Sequence, residues 1–251
     1  MPTKTLQILN ILGFILVILL NSLANALPIN GMTTGELSNL YPNLFVPAGF
    51  TFSIWGVIYL LLLAFTIYQA RSLWKKEATD DFVQTIGPWF FISCLANASW
   101  IVAWHYQQVI LSLLIMLLLL TSLIIIYRRL HRSVASPDRA LKYLVHLPFS
   151  VYLGWITVAT IANVTTLLVD RGLSGFWLGE TIWTAIMIII AVGFGIFFLL
   201  KKRDVPYALV LIWAFYGITA IRFNSIILVA AYIGITLLAI GSIIRIKSWL
   251  V

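Results

Sequence analysis

One cysteine, Cys94, stands in 251 residues, so no internal disulfide can form and no thiolate zinc or iron–sulfur site can be built. Charge is scarce too: charged residues are 10% of the chain, against about 25% in an average soluble domain. All eight acidic residues, Glu36, Glu77, Asp80, Asp81, Asp138, Asp170, Glu180 and Asp204, fall between long apolar runs or at their ends. Ion-coupled pumps keep an ionisable group in mid-membrane because that group moves the proton or binds the ion, and this chain carries no acidic residue there. His105, His131 and His146 lie at run ends or in a loop, so no histidine pair has metal-ligand spacing on one helix face. Also missing are a Walker A motif, a G-x-S-x-G motif and a glycine-rich nucleotide fingerprint. The last apolar runs hold no lysine for a retinal Schiff base. A hydrolase, a nucleotide-driven pump and a rhodopsin are disfavoured together, and the chain reads as a non-enzyme. No convincing repeat relates its two halves, which weighs mildly against the many secondary transporters built from inverted repeats.

Apolar surface is what the chain has in excess. Hydrophobic residues make up 62%, where about 45–50% is usual, and mean hydropathy is +1.03. A soluble domain of this length has too much surface to hide that much. The fold class expected is therefore all-α, a polytopic membrane bundle whose solvent partner is the lipid bilayer. A helix needs about 20 apolar residues to cross the hydrocarbon core, and about eight runs qualify: 6–27, 50–70, 86–104, 109–127, 143–169, 181–200, 207–221 and 225–246. The seventh is short, so the last two runs could also be a tight hairpin or one broken span. Loop 28–49 is rich in turn formers (Pro28, Asn30, Gly31, Gly35, Pro42, Asn43 and Pro47) and is expected as an ordered or re-entrant loop, not a helix.

The net charge of +8 would raise nucleic acid as a partner in a soluble protein. Here the basic residues are scattered between apolar runs with no basic patch, so no nucleic-acid partner is expected. Their alternation reports topology instead. Lys4; Arg71, Lys75 and Lys76; Arg128, Arg129, Arg132, Arg139 and Lys142; Lys201, Lys202 and Arg203; and Arg245 and Lys247 place 14 on one side, while Arg171 and Arg222 are the 2 on the other. The positive-inside rule then puts both termini in the cytoplasm with eight spans. A rival reading of the first run is a signal peptide, since Lys4, an apolar stretch and Ala24-Asn25-Ala26 mimic an A-x-A cleavage site. The run is longer than a typical signal core, which favours an uncleaved span.

Inside the spans, what remains is aromatic rings and a few amides. Asn97, Trp100 and Trp104 share one helical face, as do Tyr152, Trp155, Ala159 and Asn163 at steps of 3, 4 and 4. Trp55 and Tyr59 are four apart, and Trp213 and Tyr216 repeat the pairing. Membrane tryptophans commonly sit in the interfacial belt, which accounts for Trp74, Trp89, Trp249 and Trp177. Trp100 and Trp155 lie deeper, each with an asparagine on its face, and an amide in hydrocarbon must find a partner. Two accounts stay open at this point. The asparagines bond between helices while the tryptophans pack, or the rings wall a cavity for a flat apolar ligand.

The residues also resemble a known family. Pro47-Ala-Gly-Phe-Thr-Phe-Ser-Ile-Trp55-Gly-Val-Ile-Tyr59 is similar to the segment entering the second helix of the tryptophan-rich sensory protein (TspO/translocator protein) family. Asn97-Ala-Ser-Trp100, with Leu95, resembles that family's third-helix L-x-L-N-x-x-W. Tyr152-Leu-Gly-Trp155-Ile-Thr-Val-Ala159-Thr-Ile-Ala-Asn163 keeps every spacing of its fifth-helix motif. Two departures stand out: the family's proline pair is Pro47-Ala48 here, and the proline before its fifth-helix tyrosine is moved to Pro148. The resemblance covers about residues 1–170, a five-helix core, and leaves 171–251 as a three-helix C-terminal extension. It implies a membrane protein that binds porphyrins, haem-like tetrapyrroles or sterols beneath the first loop, often as a homodimer, with no required cofactor. By motif, Trp55, Asn97, Trp100, Trp155, Ala159 and Asn163 would line or support the site, flanked by Tyr59, Trp104 and Tyr152. The 28–49 loop, with Pro42, Phe45 and Pro47, would be its lid. The same resemblance raises light-driven porphyrin degradation, for which this chain supplies no general base or nucleophile. The rival classes are a transporter or permease of a small apolar substrate and a structural or assembly membrane protein. The localisation expected is a bacterial cell membrane.

Orientation is testable by single-cysteine labelling in a Cys94→Ser background at Gly35, Asp80, Gln107, Ala135, Gly172 and Lys202. A membrane-impermeant reagent added from outside is expected to reach only positions 35, 107 and 172. Labelling at 80 or 135 would overturn the orientation.

Overall fold

The computed structural model describes residues 1–27, 29–74, 81–133, 137–173 and 176–250. Pro28 of the first loop, Lys75, Lys76, Glu77 and Asp80 of the second and Ala135 of the third lie outside them. The described secondary structure is helical, as the composition requires. In chain order it comprises α1 (Thr3–Ala26), α2 (Thr34–Asn39), α3 (Ile54–Ala70), α4 (Asp81–Ile86), α5 (Trp89–His105), α6 (Val109–Ser133), α7 (Arg139–Leu141), α8 (Leu147–Asp170), α9 (Glu180–Phe197), α10 (Val205–Thr219) and α11 (Ser225–Leu250).

Six described helical stretches are long and apolar enough to cross a membrane: Thr3–Ala26, Gly49–Leu73, Val109–Ser133, Arg139–Asp170, Glu180–Lys202 and Ser225–Trp249. The protein is thus a multi-pass membrane protein, and among the described residues six of the eight expected spans are helices of this length. The third run yields α5, of 17 residues, because Gly87 adopts φ +63° and Pro88 then starts a new helix. The seventh yields α10, of 15 residues. At 1.5 Å per residue these reach about 26 and 23 Å, which puts α5 at the short end of the usual spanning range of about 17–25 residues and α10 just below it. Loop 28–49 also differs from expectation, since it contains the helical turns of α2. Thr33 and Glu36 form a capping box there: the Thr33 amide and hydroxyl donate to Glu36 Oε2 at 2.7 and 2.9 Å, and the Glu36 amide donates to Thr33 Oγ1 at 3.3 Å. Those two donors hold the Glu36 carboxyl below its ordinary pKa.

Each helix shows which solvent it meets. On α1, Phe14 is 5% exposed and Ile15 56%. Gln7 and Asn10 are buried, whereas Ile8, Leu12 and Leu19 face outward. Polar inside and aliphatic outside reverses the soluble pattern, and lipid is the solvent that permits it.

The packing groups the chain into two units, Met1–Leu37 with Trp55–Leu153, and Ser38–Ile54 with Gly154–Val251. In the first, α1 packs on α5, α5 on α6, and α4 touches both α1 and α6. Gly13 lets α1 approach closely, since a Cβ there would stand 2.9 Å from Phe91 Cδ2 and 3.0 Å from Cys94 Cβ. The core is a phenylalanine cluster in which Phe65 meets Phe90 and Phe149 edge-on, each at 4.9 Å between centroids, a geometry favoured by the ring quadrupole. An amide knot joins α1 to the end of α3: Gln7 Nε2 donates to Gln69 O at 2.6 Å and Ser72 Oγ at 2.8 Å, and Gln69 Nε2 donates back to Gln7 O at 3.2 Å. Ahead of α8, Lys142–His146 form a π-turn in which the Leu147 amide bonds Lys142 O. Pro148 has no N–H for the next α-helical bond, so the ladder shifts by one residue.

In the second unit α9, α10 and α11 pack on one another. Arg203 takes a left-handed conformation, and the Asp204 side chain caps α10 by accepting from the Tyr207 amide at 3.1 Å, with Pro206 in the first turn where a missing N–H costs nothing. The Phe198 and Tyr207 rings stack at 3.9 Å across that reversal, and Asn224 Oδ1 caps α11 through the Ile226 amide at 3.1 Å.

Gly13→Ala is expected to cost about 1–3 kcal/mol, the usual penalty for overpacking. Gly56→Ala is the matched control, because nothing lies within 4 Å of a Cβ at that position. Thermal melts in detergent should show a lowered Tm for the first variant and none for the second.

Candidate functional site

The residues singled out by the sequence fall into both units. In the first, α3 presents Trp55 and Tyr59 one turn apart, which stacks their rings at 5.4 Å with planes 24° apart. Tyr152, at the end of this unit on α8, meets Trp55 edge-on at 6.1 Å. Asn97, on α5, donates from Nδ2 to the Tyr152 hydroxyl at 2.8 Å and accepts at Oδ1 from Asn21 Nδ2 at 2.8 Å. Both ends of the Asn97 amide are thus used inside the bundle, where it is 1% exposed. Trp100 and Trp104 stack along α5 at 5.8 Å, with Trp104 buried and Trp100 half-buried.

In the second unit Trp155 is buried and meets Phe52 edge-on at 5.9 Å. One and two turns further along α8 come Ala159, half-buried, and Asn163, buried. The loop residues Phe45 and Pro47 are buried and Pro42 is exposed. The later half of this loop is built onto α10. Asn43 Oδ1 accepts from the Phe45 and Val46 amides at 3.1 and 3.0 Å, folding the chain into a tight turn. The carbonyls of that turn converge on Arg222, just past α10: Nη2 donates to Asn43 O at 2.6 Å and Val46 O at 3.0 Å, and Nε donates to Leu44 O at 3.2 Å. Burial pulls the Arg222 pKa below the ordinary guanidinium value, and the Glu180 carboxylate works against that shift. Below the turn, the Ala48 amide donates to Gly217 O at 3.0 Å, and Trp213 Nε1 donates to Thr51 O at 2.9 Å. Gly217 is required for that approach, since a Cβ there would lie 2.8 Å from Thr51 Cγ2 and 2.9 Å from Pro47 Cβ.

Apolar grooves open on the surface of the described residues. One, of about 940 Å³ between α1 and α3, is lined by residues including Ile15, Leu19, Gly56, Tyr59, Leu63 and Ile67. Another, of about 550 Å³ between α9 and α11, has Ile189, Val192, Val229 and Ile233 in its walls. Tyr59 is the member of the expected set that lines the first, and the second contains none of them. Among the described residues no group of three or more His, Cys, Asp or Glu side chains could hold a metal ion.

Sequence reasoning missed Asn21 and Arg222. Asn21 was detectable, because Gln7, Asn10, Phe14, Val17 and Asn21 recur at steps of 3 and 4 and so form one stripe. Arg222 had only its isolation to mark it, as one of two basic residues on the minority side of the charge count.

A family model described as TSPO-like protein matches residues 7–244, so the likeness is not confined to 1–170 and takes in the last three helices. No curated protein and no solved structure matches the chain.

Interhelical hydrogen bonds in membranes average about 0.6 kcal/mol, with a maximum near 1.7. Asn97→Leu, which breaks two of them, is therefore expected to lower stability by roughly 1–3 kcal/mol without abolishing folding. A double-mutant cycle of Asn97→Leu with Tyr152→Phe, read as Tm in detergent, should be non-additive. Additive losses would remove the Asn97–Tyr152 bond from the account.

Proposed function

Because the chain belongs to the TSPO-like protein family, a membrane-protein assignment and not an enzymatic one, we propose that it binds an apolar planar ligand of porphyrin, haem-like tetrapyrrole or sterol type. The binding serves sensing, regulation or transport. The observation that carries the reading is the stacked Trp55–Tyr59 pair, whose Tyr59 lines the groove of about 940 Å³ beside α1. Tyr59 brings an aromatic ring to the groove with Trp55 stacked on it, and ligand sites of this size are apolar with few polar groups to orient the guest. Asn97 supports the site by holding Tyr152, which in turn contacts Trp55. Trp100, Trp104, Trp155, Ala159 and Asn163, and the loop residues Pro42, Phe45 and Pro47, enter this reading through the family motif alone. The same reading takes 1–170 as the ligand-binding core and 171–251 as its extension, a homodimer as the assembly, and a bacterial cell membrane with cytoplasmic termini as the location.

The test is a titration of purified protein with protoporphyrin IX and with cholesterol, followed by tryptophan fluorescence. Saturable binding without flux into sealed vesicles is expected. Flux would move the assignment to a permease, loss of the porphyrin absorption bands to an enzyme, and no binding to a packing role. Trp55→Leu should weaken binding roughly five- to a hundredfold, the worth of about 1–3 kcal/mol of stacking and apolar burial. Trp177→Leu, which removes an indole 93% exposed, should leave affinity unchanged. Equal losses from both would refute the site.

A further inference from the structure

At one end of the first unit the short helix α4 gathers three other elements around itself. It buries Phe82, Val83 and Ile86, and its remaining groups reach sideways. Gln84 Nε2 donates to Met1 O at 3.1 Å and to Thr3 Oγ1 at 2.8 Å, at the start of α1. The Phe82 ring stacks on Tyr68 of α3 at 5.6 Å, and the Arg71 guanidinium lies 3.9 Å from the centre of the same Tyr68 ring. Arg129 Nη1, near the end of α6, donates to Thr85 O at 3.4 Å and Ile86 O at 3.5 Å. These ties bring together cations that the sequence spreads from position 4 to position 132. Lys4 follows Thr3, Arg71 sits on Tyr68, and Arg132 stands one turn beyond Arg129 on the same side of α6. Lys4, Arg129 and Arg132 are exposed and Arg71 is half-buried.

Helix dipoles do not account for the set. They favour cations in the last turn of α6, but Lys4 stands in the first turn of α1, where a cation is disfavoured. Arg128 and Arg132 are spaced i and i+4, where like charges repel. Topology asks that such charges share one side of the membrane; it does not ask that they surround one short helix. An anion among them relieves the repulsion. Two further features say which anion. Tyr68 and the exposed Trp74 are residues of the kind that sits at headgroup level. The α1–α3 groove also ends here, with Ala70 and Trp74 in its lining, and gives an acyl chain a seat beside Arg71. A lipid uses both the charges and the groove, whereas free phosphate uses the charges alone.

We propose that this end of the first unit binds an anionic phospholipid, its phosphate held by Lys4, Arg71, Arg129 and Arg132 around α4 and one acyl chain in the end of the α1–α3 groove. The site stands without the planar-ligand reading, since it uses neither Trp55 nor Tyr59.

The full-length protein in detergent is mixed with equal amounts of dioleoylphosphatidylglycerol and dioleoylphosphatidylcholine, re-isolated by size exclusion, and its retained lipid counted by mass spectrometry. The acyl chains are identical, so any preference reports the headgroup. Wild-type protein should retain the anionic lipid about tenfold or more over the zwitterionic one. Arg71→Gln and Arg132→Gln should each lower that preference about three- to fivefold, the weight of one basic residue near an anionic surface. Arg132→Lys, which keeps the charge, should hold most of it. Arg132→Gln and Lys4→Gln leave the bonds to α4 in place and carry the test if Arg129→Gln folds poorly. Lys247→Gln, which removes an exposed cation of the second unit, should change nothing. Equal retention of the two lipids overturns the site. Equal losses in Lys247→Gln and Arg132→Gln overturn it as well, because general surface charge then suffices. Displacement of the bound lipid by inorganic phosphate makes free phosphate the occupant and overturns the assignment to lipid.

Discussion

Hydrocarbon offers no hydrogen bonds, and most of this structure follows from that. Backbone amides inside the bilayer must be satisfied by their own helix, and side-chain amides there donate to neighbours. Gln7 and Gln69 bond each other's backbone, and Asn97 is satisfied at both ends by Asn21 and Tyr152. Where the ladder must break, the break is repaired locally. Pro148 is absorbed by a π-turn, and α2, α10 and α11 begin at Thr33, Asp204 and Asn224, whose side chains take up free amides.

The same constraint shapes the candidate site. With acidic groups confined to the ends of spans, the interior is left with aromatic rings and amides as its means of recognition. Rings that carry a polar atom, tryptophan and tyrosine, need a partner for it and so settle on interior stripes beside asparagine. The Trp55, Tyr59, Tyr152 and Asn97 cluster is one outcome. The Asn97 amide is occupied by Tyr152 and Asn21, which leaves ring faces and an aliphatic groove to meet a guest, a surface suited to flat apolar molecules. The loop obeys the rule in reverse. Arg222, just past α10, and Trp213 on α10 donate to carbonyls of segment 43–52, and Gly217 O accepts from the Ala48 amide. Half-burying a guanidinium is costly, and three carbonyl acceptors offset that cost.

Much of this was legible in the chain. The steps of 3 and 4 that join Asn97 to Trp100 and Trp104, and Tyr152 to Asn163, do place those residues on α5 and α8. The T-x-x-E pattern at Thr33 and Glu36 announces a helix start inside what otherwise reads as a loop of turn formers. The span count was less legible, because hydropathy averages over residues that backbone geometry separates. Gly87 and Pro88 delay the start of the third run's helix to Trp89, leaving α5 with 17 residues, and α10 stops after 15.

Composition and helical period, which depend only on the order of residues, determined that the chain is all-α, that lipid is its solvent, and which side chains share a face. They could not determine partners. The period of an α-helix places Asn97 on an interior stripe, yet its bonds go to residues 76 and 55 positions away, and which atoms meet depends on how close Gly13 lets α1 come to α5. Arg222 is the sharper case. In the sequence it is a lone charge on the minority side of the membrane, while in the fold its acceptors lie 176 to 179 residues earlier. A cation's place in a sequence carries its charge; only tertiary packing brings three carbonyls of one turn within 3.2 Å of it.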